Sequence, residues 1–87
     1  MKINKTEIDT MFEKVKEIIQ NTLDKNKIAI TTETDLIEEL GINSLELAEL
    51  IYAFEHEFKI KIPDRDIAKF RIVDDIVVYL NKKVKLP

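Results

Sequence analysis

The side chains best suited to covalent chemistry in this sequence are the Ser44 hydroxyl, in Leu40-Gly41-Ile42-Asn43-Ser44-Leu45-Glu46, and the lone imidazole, His56. A nucleophilic serine needs a base within hydrogen-bond reach. His56 lies twelve positions further along the same helical segment, roughly 18 Å away at 1.5 Å per residue, and no lysine flanks the serine. There is no Gly-x-Ser-x-Gly elbow, no glycine-rich phosphate loop and no Asp-x-Asp-x-Asp-Gly calcium loop. With no cysteine, disulfides and thiolate metal sites are excluded. An enzyme is therefore not expected, and no metal ligands are assigned. The setting of Ser44 is more informative than its reactivity. Between Lys27 and Lys59 stand eight carboxylates (Glu33, Asp35, Glu38, Glu39, Glu46, Glu49, Glu55 and Glu57) and neither lysine nor arginine. A hydroxyl at a helix start in such a field suits a group that another protein acts upon.

The elements that must position it follow from hydrophobic periodicity. Ile8, Met11, Phe12, Val15, Ile18, Ile19 and Leu23 recur at three- and four-residue steps and predict an amphipathic helix over 5–22. About twenty residues without sustained period follow, a length that calls for a function or internal organisation. Leu36, Ile37, Leu40 and Ile42 are expected to pin this loop to the core, and Asp35 to cap one helical turn through Glu39. Asn43 is a good N-cap for a helix over 44–58, with Glu46 at the third position supporting cap and dipole. Lys59-Ile60-Lys61-Ile62 ends at Pro63 and is too short to be a strand, so an extended connector is expected. A short helix over 64–69, with Ile67 inward, and a last helix over 73–82, built on Val73, Ile76, Val77 and Leu80, precede a basic tail, 83–87. The fold class is all-α: a small bundle of three main helices and one short one, with a long first connection, in a single domain over 1–87.

Hydrophobic content of 45%, with one Gly and two Pro, fits a globular domain rather than a disordered or turn-rich one. The net charge of −3 is unevenly spread: 33–58 is purely acidic, and 59–87 carries eight basic against four acidic groups. The acidic middle argues against nucleic acid as a partner of that surface. No apolar run approaches the roughly 20 residues that span a bilayer, so a cytoplasmic protein without stable membrane insertion is expected. Around the 44–58 helix, Leu47, Leu50, Ile51, Phe54 and Phe58 form the core stripe. Leu45, Ala48 and Tyr52 form a second, narrower stripe beside Ser44, bordered by Glu49, Glu55 and His56. A globular helix needs one apolar stripe. The second is either covered by the loop or a docking surface for a partner with a basic rim.

The array Asp35-Leu36-x-x-x-Leu40-Gly41-x-Asn43-Ser44-Leu45-Glu46, then Glu49-Leu50, Phe54-Glu55-x-Glu57-Phe58 and Ile62-Pro63-Asp64, resembles the acyl carrier protein family from about Thr6 to Lys82. The resemblance implies that Ser44 carries 4′-phosphopantetheine, donated by coenzyme A through a magnesium-dependent phosphopantetheinyl transferase. The arm's thiol would carry acyl groups as thioesters between acyl-transferring, condensing and tailoring enzymes. Leu45, Ala48, Glu49, Tyr52 and Glu55 match the positions such partners touch, and the chain is expected to be a monomer. Leu47, Ile51, Phe54, Ile62, Ala68 and Phe70 are the candidate lining for an acyl chain inserted between helices.

Three departures stand out: Asn43 replaces the usual Asp before the serine; the region of the short third helix, often acidic in fatty-acid carriers, here has Arg65, Lys69 and Arg71; and Arg71-Ile72 replaces the usual capping Thr before the last helix. These added cations favour a specialised polyketide-like, lipid or aminoacyl pathway, beside fatty-acid synthesis. The alternative from another class is an unmodified acidic helical interaction module, for which Ser44→Ala would be silent.

Overall fold

The computed structural model describes residues 5–25 and 28–84, with side chains from residue 10 onward. These residues form four helices: α1, Lys5–Leu23; α2, Ser44–Phe58; α3, Asp64–Ile67; and α4, Val73–Lys83. α1 packs against both α4 and α2. Met11, Val15 and Ile19 of α1, Leu50, Ile51 and Phe54 of α2, and Val73, Ile76, Val77 and Leu80 of α4 meet in one buried core. Phe12, Ile18, Leu23, Leu47 and Phe58 pack on its margin. The side chain of Ile8 lies outside the described residues.

α3 is four residues long, not the six expected. Beyond Ile67 the chain continues with Lys69 N–H to Asp66 carbonyl and Phe70 N–H to Ile67 carbonyl bonds, the tighter spacing that closes a helix rather than extends it. Its attachment to α4 is polar and aromatic. The Tyr79 hydroxyl donates to Asp66 Oδ2 at 2.7 Å, and its ring meets Phe70 edge-on at 5.2 Å. Burial, then the bond to Asp66, push the Tyr79 phenol up to about 12.

The 24–43 connection is organised by backbone groups. The N-cap of α4 is Ile72, which has no side-chain acceptor for the helix's first amides. The loop supplies them: the Val73 amide donates to the Thr34 carbonyl at 3.0 Å and the Asp74 amide to the Thr32 carbonyl at 2.8 Å. Asp75 Oδ2 accepts from the amides of Arg71 and Ile72. The missing capping residue is thus replaced by tertiary contacts. Leu36 N–H to Arg71 carbonyl closes an isolated antiparallel bridge between Asp35 and Ile72. Buried Thr34 is satisfied, its Oγ1 accepting from the Thr31 amide at 2.8 Å.

One turn follows, 36–40. Asp35 Oδ1 accepts from the amides of Ile37 and Glu38, and Glu39 Oε1 accepts from the Asp35 amide. Gly41, at φ +63°, ends the turn with its amide on the Ile37 carbonyl, a left-handed position that glycine takes without steric cost. Leu36, Leu40 and Ile42 are buried as expected, whereas Ile37 is exposed. Within a single turn, residues 36 and 40 share the inward face and 37 is rotated about 100° from it.

Asp35 also lies 3.8 Å from Arg71 Nε. The Glu38 amide above all, with the Ile37 amide and Arg71, holds its carboxyl below the ordinary value of 3.8 against a smaller opposing effect of burial. A depressed folded-state value stabilises above the unfolded value and loses that stabilisation as pH falls through the folded one. Asp35→Asn retains acceptor atoms without the charge. In denaturant melts at stepped pH, the stability gap between wild type and Asp35→Asn should shrink as pH drops below about 4; a constant gap would contradict the assignment.

Candidate functional site

Ser44 is the first residue of α2 and is exposed. The turn before it is closed by a reciprocal box: Asn43 Oδ1 accepts from the Glu46 amide at 2.8 Å, and Glu46 Oε1 accepts from the Asn43 amide at 3.1 Å. Ile42 is buried and Leu47 half-buried on the core margin, at the positions of a hydrophobic staple that fixes the chain's entry angle. The box claims the amides of Asn43 and Glu46. Those of Ser44 and Leu45 have no intrahelical acceptor, and the positive end of the helix dipole lies there. This is an anion-tolerant helix start carrying a free hydroxyl.

The second stripe of α2 is open. Leu45 and Tyr52 are 71% and 70% exposed, and Ala48 and Glu49 are exposed as well. Tyr52 stacks on His56 at 6.3 Å. α1 contributes what the sequence did not reveal: Ile18, Asn21 and Thr22 form the far wall of an open groove of about 720 Å³, whose near wall includes Ala48, Glu49, Tyr52 and His56. Only the packing of α1 on α2 puts these residues together, and no spacing within either helix signals it.

Two expected site residues, Glu55 and Ala68, behave differently from the rest. Glu55 is half-buried and its Oε2 accepts from the Ile62 amide at 2.8 Å, tying the connector after α2 back to the helix. Its partner there is this chain's own backbone. Ala68 is exposed, while the other candidate lining residues lie on the core, Ile51, Phe54 and Ile62 buried and Leu47 and Phe70 at its margin. Ala68 follows the four-residue α3 as its C-cap, its amide bonded back to the Asp64 carbonyl. Glu46 has a further partner: Lys25 Nζ lies 3.7 Å from its Oε2. The acidic segment therefore receives a cation from outside itself.

Among the described residues, no group of three or more histidine or carboxylate side chains is placed to hold a metal, and no helix is long and apolar enough to cross a membrane.

A four-helix domain with a protruding, capped serine at the start of its second helix is the architecture of a carrier rather than a catalyst. The phosphopantetheine attachment site family matches residues 13–80. An acyl carrier protein of Clostridium perfringens is 44% identical over 72 residues, 83% of this chain and 95% of that one. One from Thermotoga maritima is 42% identical over 76 residues, covering 87% and 94%. A solved structure, a candidate acyl carrier protein of Mycobacterium tuberculosis, superposes with a TM-score of 0.73 at 36% identity over 87% of this chain and 99% of that one. The chain belongs to the phosphopantetheine attachment site family and, within it, to the acyl carrier proteins. It is a non-catalytic carrier with a covalently attached phosphopantetheine, served by a phosphopantetheinyl transferase and by biosynthetic enzymes.

Glu55 and Glu49, the two carboxylates that border the second stripe, can be separated experimentally. Glu55→Ala removes the acceptor of a half-buried amide, a loss of about 1–2 kcal/mol, and should lower the melting temperature by about 5–10 °C. Glu49→Ala, with no such bond, should stay within about 0.5 kcal/mol of wild type. Equal melting curves for the two variants would refute the distinction.

Proposed function

We propose that Ser44 is the attachment residue and that the protein carries acyl intermediates as thioesters on the arm's terminal thiol, between enzymes of fatty-acid synthesis or of a specialised polyketide-like, lipid or aminoacyl pathway. The supporting observation is an exposed Ser44 at the first position of α2, with neighbouring amides left free by the Asn43–Glu46 box, inside the matched region. A phosphodiester fits this position: it is anionic, and the helix start offers unclaimed N–H groups and a favourable dipole.

In loading, the Ser44 O–H bond is exchanged for an O–P bond as coenzyme A loses its adenosine bisphosphate half. This chain supplies the hydroxyl. His56, roughly 18 Å along the helix, cannot take the proton, so the base belongs to the transferase. The loaded thiol supplies the thioester chemistry.

The remaining roles belong to the surface. Leu45, Ala48 and Tyr52 offer a small apolar contact, and Glu49, with other α2 carboxylates, attracts basic partners. Electrostatic attraction of this kind speeds encounter more than it strengthens the complex. That suits a monomeric shuttle, which must leave each enzyme as readily as it arrives. Leu47, Ile51, Phe54, Ile62 and Phe70 provide the apolar lining available to an acyl chain if α2 and the α3 region part.

Intact-mass measurement after incubation with coenzyme A, magnesium and a transferase should show one added phosphopantetheine, absent in Ser44→Ala. No addition, even with the host's own transferase, would favour an unmodified interaction module instead. With the loaded protein, Glu49→Lys and Tyr52→Ala should reduce turnover by partner enzymes severalfold while leaving the melting temperature nearly unchanged. Unfolding of both variants would place that stripe in the core.

A further inference from the structure

Glu46 uses its two oxygens differently. Oε1 folds back to accept from the Asn43 amide, which holds the carboxylate at the end of α2 rather than along its side. Oε2 faces Lys25 Nζ at 3.7 Å. Lys25 stands two residues beyond the end of α1, and it is the packing of α1 on α2 that delivers its ammonium to the helix start. The pair is loose: 3.7 Å is long for a charge-assisted bond, and the side chains remain 21% and 25% exposed. A loose, partly hydrated pair holds its cation weakly and can share it.

An anion joined to Ser44 would stand two positions from Glu46 and five from Glu49, in a segment without lysine or arginine between positions 28 and 58. The helix dipole offsets only part of that repulsion, because it amounts to only about half an elementary charge. We propose that Lys25 is the positioning cation for the phosphodiester carried on Ser44. In the unloaded protein it faces Glu46; in the loaded protein its charge is shared between the Glu46 carboxylate and the phosphodiester. A lysine suits this role, being a compact charge on a flexible stem with three donors. The inference rests on Ser44 being the attachment residue. The plainer role for Lys25 is to tether the loop to α2 through Glu46, and that role is indifferent to loading.

The test is a thermodynamic cycle on the full chain. Wild type, Lys25→Gln and a control, Lys14→Gln on the exposed face of α1, are each prepared unloaded and phosphopantetheine-loaded, with the state verified by mass. Melting temperature and the ³¹P resonance of the phosphodiester are read at about 20 mM and about 500 mM salt. At low salt, the change in melting temperature on loading should be about 2–4 °C less favourable in Lys25→Gln than in wild type. The difference should fade at high salt and be absent in Lys14→Gln. The ³¹P resonance should shift in Lys25→Gln only. An equal temperature loss in both states with an unmoved resonance would reduce Lys25 to a tether and overturn the proposal, leaving Ser44 as the attachment residue. Failure of wild type to load with any transferase would overturn that reading and this one together.

Discussion

The start of α4 carries amides that no local side chain can satisfy, and the fold resolves this by bringing the long loop to them. The carbonyls of Thr34 and Thr32 accept from the Val73 and Asp74 amides, the Asp75 carboxylate accepts from the amides of Arg71 and Ile72, and the Leu36 amide donates to the Arg71 carbonyl. Unpaired buried amides are costly enough to make this arrangement compulsory. Once residues 32–36 are fixed against α4, the buried side chains of Leu36 and Leu40 set the single turn that follows. Gly41 then redirects the chain, and Asn43 and Ser44 arrive at the surface in one orientation. Ser44 is therefore positioned from the far helix, through a loop with little regular structure of its own.

α2 meets two demands on opposite faces. Leu50, Ile51 and Phe54 are buried against α1 and α4, and replacing a residue such as Phe54 with alanine would cost about 3–5 kcal/mol, a large share of the stability of a domain this small. Leu45, Ala48 and Tyr52 are left in solvent. Leucine and tyrosine left this exposed contribute little to burial in the isolated chain, so their place on a rigid, well-capped helix is intelligible as a contact surface whose shape does not have to form on binding.

The acidic residues, alike in sequence, separate into distinct physical roles. Asp35 and Glu39 organise a turn, Glu46 closes the cap and meets Lys25, and Glu55 secures the connector after α2. Glu49 and Glu57 remain at the groove. A surface that looks uniformly charged from composition is thus partly internal scaffolding, and its free charge is smaller than a count of carboxylates suggests.

Periodicity and local chemistry by themselves determined the three main helices, the Asn43 cap, the core stripe of α2 and the existence of a second apolar stripe, because these depend on residues within a turn or two of one another. Asp35 capping its own turn was legible for the same reason. Other features depended on contacts distant in sequence. Ile37 faces solvent and Ala68 lies off the core because the turns holding them have a definite orientation against the bundle. Glu55 is engaged by an amide seven residues away, and α4 is capped by carbonyls nearly forty residues upstream. Lys25 reaches Glu46 only because α1 and α2 pack side by side. A sequence records which groups need partners; where the partner is not local, only the packed chain decides which group supplies it.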